Sequence, residues 1–277
     1  MNHIDRLIDL ALEEDIANGD ITTQFLIDAQ DQCTAHITAK ESLVFVGLDI
    51  AKKVFHRLDP QVEFVSHVKE GEEVLAETKL ITLTGRTQSL LTGERVALNF
   101  LQRLSGIATN TKTYIKLLGK TNTKLVDTRK TIPGWRQLEK YAVRMGGGYN
   151  HRIGLYDGIL IKDNHVDAAG GILPAVQKAR KRASQFIKIE VETRNLKEVQ
   201  EAIDAKADII MLDNMTVDEI KKAVQLIQNR SKIEISGGVT KENIKELASL
   251  GADFISSGAL THAAKSVDIN MTFLSSF

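Results

Sequence analysis

The sequence predicts an α/β protein in two parts, an N-terminal α+β domain followed by an incomplete barrel of alternating strands and helices. Three observations predict this architecture. Up to about residue 110, an amphipathic helical pattern is followed by short β-like runs punctuated by glycine. From Lys124 onward, six β-like runs alternate strictly with helical segments, which implies parallel strands joined by crossover helices. One of these runs alternates apolar with charged residues, which favours a barrel with a polar interior.

The N-terminal elements follow from the spacing of the apolar residues. A helical period of about 3.6 residues predicts an amphipathic first helix, whose apolar face carries Ile4, Leu7, Ile8, Ala11 and Leu12. Short runs of β character predict strands within residues 33–39, 42–48, 62–68 and 73–85. A long helical pattern over residues 93–118 then places Val96, Phe100, Leu104 and Ile107 on one face.

The C-terminal part is predicted to form a (β/α) barrel. Its six β-like runs lie within residues 124–129, 158–164, 187–193, 208–214, 232–238 and 253–260. Six units are fewer than the usual eight, so we expect an incomplete barrel, with an open doubly wound sheet as the alternative. In the third run, Lys188, Glu190 and Glu192 share one face. An open parallel sheet is normally apolar on both faces, so a charged face suits a barrel interior near its mouth or else an exposed edge strand.

Composition narrows the class of protein. The 277 residues suffice for one large domain or two ordinary ones, and a hydrophobic content of 43% predicts a globular chain. The 36 Lys and Arg balance 36 Asp and Glu, so net charge gives no indication of a nucleic-acid or membrane partner. Cys33 is the single cysteine, which fits a reducing compartment. With an acidic amphipathic start and no long apolar run, we expect a cytoplasmic protein.

Basic residues cluster around the first barrel strands. Residues 124–165 carry eight Lys or Arg against four acidic residues, although the whole chain is neutral. The alternative interpretation of this surplus is a basic helix face, which covers Lys140 and Arg144. The cations nearest to strand ends or to the glycine turn are Arg129, Lys130, Arg152 and Lys162. Clustered cations repel one another unless an anion lies among them, and loops after barrel strands build active sites, so we predict a pocket for a polyanionic small molecule.

The last two strands predict a phosphate site. Residues 234–243 read as a strand end, a glycine turn and a helix start with Thr240 as the expected N-cap, and residues 254–264 repeat this arrangement. Backbone N–H groups at such helix starts bind phosphate, and glycine lets the phosphate approach the backbone closely. Ordinary glycine turns are the alternative interpretation.

Carboxylates lie between the cationic and the phosphate-binding segments, at Glu190, Glu192 and Asp213. Next to a phosphate site, carboxylates suit Mg²⁺, which takes one or two of them together with the substrate's phosphates. They could instead stabilise a developing cation, or only neutralise Lys162 and Lys188.

Long segments of the chain resemble the quinolinate phosphoribosyltransferase family. The most specific block is "DTRKTIPGWRQLEKYAVRMGGGYNHRIGLYDGILIKDNH", residues 127–165. Shorter similar segments are "EEDIANGDITT", "LTGERVALNFLQRLSGIAT", "IEVET", "MLDNM", "EISGGV" and "ISSGALTHAAKSVDINM". These segments occur in order and cover nearly the whole chain.

The resemblance implies a fold and an activity. Residues 1–110 would form an open-faced α/β sandwich, residues 111–266 a seven-stranded barrel, and residues 267–277 a tail that returns to the first domain. The implied reaction transfers phosphoribose from phosphoribosyl pyrophosphate to quinolinate with Mg²⁺. It releases pyrophosphate and CO₂ and yields nicotinate mononucleotide for NAD synthesis.

The resemblance also implies roles for single basic residues. The expected ligands of the two quinolinate carboxylates are Arg129, His151, Arg152 and Lys162. Lys130 would bind there or to the pyrophosphate. Arg95 would reach into the pocket of a neighbouring subunit, so the implied working unit is a homodimer with shared active sites.

The remaining implied roles concern ribose, metal and phosphate. Glu192 and Asp213 would face the ribose and Mg²⁺. The expected ligands of the 5′-phosphate are Ser236, Gly237, Gly238 and Gly258, and Ser257 completes the substrate-binding set. The expected catalytic residues are Lys130, Lys162, Glu192 and Asp213.

Two other functions fit the residues taken alone. A lysine at the end of a barrel strand, such as Lys162, also suits an aldolase that forms a Schiff base with its substrate. A non-catalytic sensor of a phosphate ligand would need the same cations and glycine turns. Both functions predict that no nicotinate mononucleotide is formed.

Overall fold

The computed structural model describes residues 3–274, which form two compact units. The helices are α1 (His3–Ile16), α2 (Ile21–Leu26), α3 (Leu48–Leu58), α4 (Thr87–Leu118), α5 (Arg136–Met145), α6 (Asp163–Ala169), α7 (Ile172–Arg182), α8 (Leu196–Asp204), α9 (Val217–Ile227) and α10 (Ile244–Ala248). The strands are β1 (Gln32–Ala39), β2 (Leu43–Val44), β3 (Glu63–Ser66), β4 (Glu73–Val74), β5 (Lys79–Arg86), β6 (Lys124–Val126), β7 (Ile159–Ile161), β8 (Ile189–Thr193), β9 (Ile209–Asp213), β10 (Lys232–Ser236), β11 (Phe254–Ser256) and β12 (Ile269–Leu274).

The first unit contains residues 3–112, 133–147 and 264–274 of the described chain. Its main sheet has the order β12-β1-β5-β3 and is antiparallel. Along β1, Ala35, Ile37 and Ala39 are buried and alternate with partly exposed residues, so one face of the sheet is covered and the other is open. The C-terminal strand β12 pairs along its whole length with β1. The open-faced sandwich is therefore confirmed.

The second unit, residues 113–132 and 148–263, is built on a parallel sheet. Its strand order is β6-β11-β10-β9-β8-β7, so the first strand pairs with the last one along the chain. Tyr149 makes a parallel bridge to Val126 on the free side of β6 and occupies a seventh position. Among the described residues β7 is the other edge of this sheet, so the barrel is incomplete at one seam, between Tyr149 and β7. The β-like runs in the sequence predicted only six strands, because this seventh position consists of a single bridged residue pair.

The two faces of the barrel strands differ in polarity. Val191, Leu212 and Ile235 are buried on one face, as expected under the crossover helices. Glu190 and Glu234, on the other face, line cavities inside the barrel. Because β8 lies between β7 and β9, it is not an edge strand. The charged face predicted for residues 187–193 therefore belongs to the barrel interior, as expected.

One predicted barrel helix groups with the first unit. The helix expected over residues 133–146 forms as α5, yet it belongs to the first unit. The ring of Trp135, next to its start, stacks on Phe100 of α4 with ring centroids 4.7 Å apart. The fully buried Glu139 accepts a hydrogen bond of 2.9 Å from Arg103. These contacts, which no local pattern shows, decide where α5 packs.

Candidate active site

The main cavity opens at the C-terminal ends of the barrel strands and has a volume of about 770 Å³. Twelve of the thirteen substrate-binding residues expected from the sequence line it: Arg129, Lys130, His151, Arg152, Lys162, Glu192, Asp213, Ser236, Gly237, Gly238, Ser257 and Gly258. The thirteenth, Arg95, is exposed on α4 in the first unit. Side chains from distant segments therefore converge on one hollow, as the barrel rule requires.

One side of this cavity, which we call the cationic wall, consists of Arg129, Lys130, Arg152 and Lys162. A guanidinium nitrogen of Arg152 donates a hydrogen bond of 3.0 Å to the Gly158 carbonyl, which orients the side chain. Burial, together with the nearby charge of Arg129, lowers the pKa of Arg152 from its usual value. The two guanidinium groups thus repel each other, and a bound anion would relieve that repulsion.

Asp127 positions the segment that enters the cavity after Tyr149. Its carboxylate is fully buried and accepts hydrogen bonds from the Asn150 side chain at 2.7 Å and from the His151 backbone at 2.9 Å. Asp127 was not among the site residues predicted from the sequence. Its place directly after a predicted barrel strand, where loops build the site, was the available signal.

His151 faces an acidic pair inside the barrel. Its Nδ1 accepts a hydrogen bond of 2.8 Å from the Arg152 backbone N–H, so the ring proton of neutral His151 is on Nε2. Nε2 lies 3.0 Å from Oε2 of Glu190 and 3.6 Å from Oε2 of Glu234. Both ring nitrogens therefore have partners within the protein, and His151 forms part of the cavity wall beside Arg152.

The carboxylates expected to face the ribose also line the main cavity. Nζ of Lys162 donates a hydrogen bond to Oε2 of Glu192, and the two groups form an ion pair. Asp213 accepts a hydrogen bond of 2.7 Å from the side chain of its neighbour Asn214. His165 is not among the residues that line this cavity. It lies at the start of α6, where its Nδ1 accepts a 3.0 Å hydrogen bond from the backbone N–H of Lys162.

The glycine turn after β10 is narrow. Gly237 and Gly238 both have left-handed backbone angles, with φ of +85° and +59°. A Cβ on Gly237 would lie 2.2 Å from the side-chain oxygen of Asn214, so the turn needs glycine for space as well as for conformation. The helix α10 begins at Ile244, later than the N-cap predicted at Thr240 implies. Thr240 still makes the contacts of an N-cap, because its carbonyl accepts a 3.1 Å hydrogen bond from the Ile244 N–H and its hydroxyl a 3.3 Å hydrogen bond from the Glu242 N–H.

The second glycine turn brings the cationic wall next to the side of the cavity where the sequence predicts phosphate binding. A Cβ on Gly258 would lie 2.6 Å from Cδ of Lys130, so the Lys130 side chain lies directly against this glycine. The Thr261 hydroxyl donates a hydrogen bond of 2.6 Å to the Lys130 carbonyl. We call residues 236–238 and 257–258 the phosphate turns, after the phosphate binding that the sequence predicts there. Lys130 thus lies between these turns and the other three cations.

A second cavity, of about 420 Å³, lies beneath the main one. It is lined by residues at the seam and at the starts of the strands, including Asp157, Ile159 and Ile209. His151, Arg152 and Glu234 line both cavities, so they form the partition between them. Glu234 was not predicted as a site residue, although the alternation in "KIEIS" places it on the interior face by the same rule that placed Glu190.

The chain matches the family described as quinolinate phosphoribosyl transferase over both of its domains. The N-terminal domain of that family matches residues 20–105, and the C-terminal domain matches residues 107–272. A relative named probable nicotinate-nucleotide pyrophosphorylase [carboxylating], from Bacillus subtilis, is 46% identical over 273 residues, which cover 98% of this chain and 94% of the relative.

Solved structures show the same similarity. The structure titled NadC from Streptococcus pyogenes has 43% identity and a TM-score of 0.94, and the match covers 98% of this chain and 97% of that one. The nicotinate-nucleotide pyrophosphorylase from Francisella tularensis has 44% identity and a TM-score of 0.94, covering 98% and 96% of the two chains. The sequence-based resemblance and the predicted fold class are thereby confirmed.

Proposed function

The chain belongs to the quinolinate phosphoribosyltransferase family, and we propose that its main cavity carries out the family's reaction with the residues described above. The reaction joins quinolinate to phosphoribosyl pyrophosphate and gives nicotinate mononucleotide, pyrophosphate and CO₂, in NAD biosynthesis. The observation that supports this use of the cavity is its two-sided lining. Four cations line one side and two phosphate turns line the other.

Quinolinate binding is assigned to the cationic wall. The two adjacent carboxylates of quinolinate carry two negative charges, which match the positive charges of Arg129, Arg152 and Lys162. A planar diacid held at both carboxylates has one orientation in the site. Binding therefore also points the ring nitrogen toward the anomeric carbon of the sugar, which lowers the entropic part of the barrier. Neither alternative function is supported, since the relatives' names all concern this phosphoribosyl transfer.

Phosphoribosyl transfer is assigned to the carboxylates and the phosphate turns. As pyrophosphate leaves, the sugar acquires positive charge, and Glu192 and Asp213 face the cavity where that charge would develop. The 5′-phosphate is assigned to backbone N–H groups of the phosphate turns. Lys130, which lies against Gly258, is placed to neutralise the departing pyrophosphate.

We further propose that Mg²⁺ assists at Glu192 and Asp213. The donor set fits this ion, because both residues offer carboxylate oxygens toward a cavity that also takes phosphates. When bound, Mg²⁺ would neutralise charge on the leaving pyrophosphate. The test is a titration of Mg²⁺ against Asp213→Asn, with the exposed α9 residue Asp218→Asn as control. A higher Mg²⁺ requirement in the first variant alone would support the assignment.

We also propose a homodimer with shared active sites. Arg95 is exposed on α4, and α2 exposes Phe25 and Leu26 by 84% and 75%. Large apolar side chains clustered in this way are typical of surfaces that another subunit covers. Sedimentation of the purified protein at several concentrations would measure its assembly, and a strictly monomeric enzyme would exclude shared sites.

We also propose a cytoplasmic location. Among residues 3–274, no helix has both the length and the apolar character that a membrane crossing requires. The single cysteine, Cys33, agrees with a reducing compartment. Cell fractionation followed by the activity assay would test this proposal.

One assay tests the proposed function as a whole. Purified protein is incubated with quinolinate, phosphoribosyl pyrophosphate and Mg²⁺, and nicotinate mononucleotide is measured by liquid chromatography. We expect product, pyrophosphate and CO₂ in equal amounts. The matched negative control is Lys162→Ala, and borohydride treatment of the parent should trap no substrate on Lys162. Trapping, or an absence of product, would reject the proposal.

A further inference from the structure

Glu234 occupies an unusual position for a carboxyl group. It is 2% exposed, yet it lines both the main cavity and the second cavity beneath it. It lies on the same face of β10 as Ser236, at the start of a phosphate turn. Two residues along a strand correspond to about 6.6 Å, so Glu234 lies one step deeper in the barrel than the phosphate turn.

The surroundings of Glu234 favour its protonated form. Carboxyl oxygens of Glu190 and Glu234 and a ring nitrogen of His151 lie within 4.8 Å of one another, and two buried carboxylates at such a separation repel each other unless one is protonated. Nε2 of His151 lies 3.6 Å from Oε2 of Glu234. Oε1 of Glu234 is buried and has no hydrogen-bond partner. Burial, then the Glu190 charge, raises the pKa of Glu234 to about 8, so the acid form persists at neutral pH.

The reaction needs such a proton. Once the ring nitrogen carries the ribose, loss of CO₂ leaves an electron pair on the adjacent ring carbon, and that carbon must gain a hydrogen. Arginine guanidinium groups are too weakly acidic to supply it. Lys162 is paired with Glu192, and the Nε2 proton of His151 is directed at the acidic pair. Lys130 lies against Gly258 and is assigned to the departing pyrophosphate. The remaining candidates on the cavity lining are Glu234 and the exposed His262 at the rim.

We propose that Glu234 is the general acid that protonates the ring carbon as CO₂ leaves, and that water in the second cavity then reprotonates it. The inference rests on the proposed function of the main cavity. It favours Glu234 over His262 because the Glu234 carboxyl lies in the barrel interior and also borders the second cavity, from which water would supply protons. Glu190 and His151 hold the carboxyl in place as positioning residues.

The proposed step conserves atoms and electrons. The bond between the ring carbon and its carboxylate breaks, CO₂ departs, and the electron pair remains on the ring carbon beside the positively charged ring nitrogen. That pair forms a new bond to the proton of Glu234, whose O–H electrons remain on the carboxylate. A water molecule in the second cavity supplies the replacement proton. The net change consumes one proton from solvent and needs no oxidant or reductant.

The test separates the two halves of the reaction. Single-turnover reactions of the parent and of Glu234→Gln are quenched at a series of times. Three compounds are measured: pyrophosphate, nicotinate mononucleotide, and the dicarboxylated nucleotide, which is the ribosylated quinolinate before it loses CO₂. We expect pyrophosphate release within about threefold of the parent, because the transfer step is intact. Product formation should fall at least about 100-fold, with the dicarboxylated nucleotide accumulating, since a carbanion without an acid recombines with CO₂. The exposed α10 residue Glu246→Gln is the matched control and should behave like the parent.

Four other results would overturn the inference. Unchanged product formation in Glu234→Gln would exclude a catalytic acid at this position. An equal fall in both steps would indicate a structural role. Accumulation of the dicarboxylated nucleotide in His262→Asn instead would assign the proton to His262. A stoichiometric divalent metal bound to the parent and lost from Glu234→Gln would make the group of His151, Glu190 and Glu234 a metal site. A parent that forms no product would reject the proposed function rather than this inference.

A second variant covers the case in which Glu234→Gln does not fold. Glu234→Asp keeps a carboxyl group but shortens its reach by one methylene. We expect it to fold, to release pyrophosphate at nearly the parent rate, and to form product at an intermediate rate with some accumulated intermediate. Parent-like product formation without accumulation would overturn the inference, because reach would then not matter.

Discussion

Lys162 at the end of β7 donates a hydrogen bond to Glu192 near the end of β8, and this ion pair lies at the mouth of the barrel. The pair joins the cationic wall to the carboxylates assigned to the ribose. Glu192 therefore has two tasks, to hold the Lys162 ammonium in place and to offset positive charge that develops on the sugar. Both tasks depend on its negative charge.

The first prediction concerns that charge. Glu192→Gln keeps the shape of the side chain and removes the charge, so we expect kcat to fall about 100- to 1,000-fold, the usual effect of losing one electrostatic stabiliser. Quinolinate affinity should stay the same or rise, because Lys162 is then free to bind a carboxylate. Steady-state kinetics and calorimetry measure the two effects. A kcat equal to that of the parent would contradict the assignment.

The second prediction concerns the cationic wall. Arg129→Ala removes a guanidinium group that can bind a carboxylate through two charge-assisted hydrogen bonds, each contributing about 1.5–3 kcal/mol. We expect quinolinate to bind at least about 100-fold more weakly in calorimetry, while the melting temperature stays close to that of the parent. Arg182→Ala, at an exposed position of α7, is the control. Equal affinities in the two variants would remove Arg129 from the site.

The third prediction separates crowding from backbone strain. Gly237 and Gly170 have the same φ of +85°, but only at Gly237 would a Cβ meet a neighbour, the side-chain oxygen of Asn214 at 2.2 Å. Alanine at either position should cost about 1–2 kcal/mol in strain. We expect only Gly237→Ala to raise the KM for phosphoribosyl pyrophosphate, by about tenfold or more. If both variants raise it equally, the effect is one of stability and the phosphate turn is misassigned.

The fourth prediction tests the shared active site. Arg95→Ala and Lys162→Ala should each be inactive as homodimers. If Arg95 completes the partner's pocket, a mixed dimer contains one intact site, and mixing should restore up to about a quarter of the parent activity by random pairing. Differently tagged subunits allow the heterodimer to be isolated before the assay. An inactive heterodimer would place Arg95 and Lys162 in the same subunit's site.

The fifth prediction follows from the raised pKa of Glu234. Its ordinary value is 4.5 and its folded value is about 8, so between these pH values the folded protein holds one proton more than the unfolded chain. Unfolding then releases a proton, and stability falls as pH rises, by up to about 1.4 kcal/mol per unit. We expect urea denaturation to show a steeper fall from pH 5 to pH 8 for the parent than for Glu234→Gln. Parallel curves would show that Glu234 is ionised in the folded protein.

Local patterns determined much of this protein. The alternation of residues 187–193 placed a charged face inside the barrel, because strand side chains alternate whatever the strand packs against. The rule that barrel loops gather at one rim placed residues as distant as Arg129 and Gly258 in one cavity. The family resemblance added the reaction itself.

Only the tertiary structure decided the rest. Trp135 and Glu139 hold α5 in the first unit through contacts with α4, although its spacing looked like that of a barrel helix. The direction of His151 depends on Glu190, 39 residues away, and the protonation of Glu234 depends on a carboxyl brought next to it by the closing barrel. Such burial and pairing arise between segments far apart in the chain, where a local pattern carries no signal.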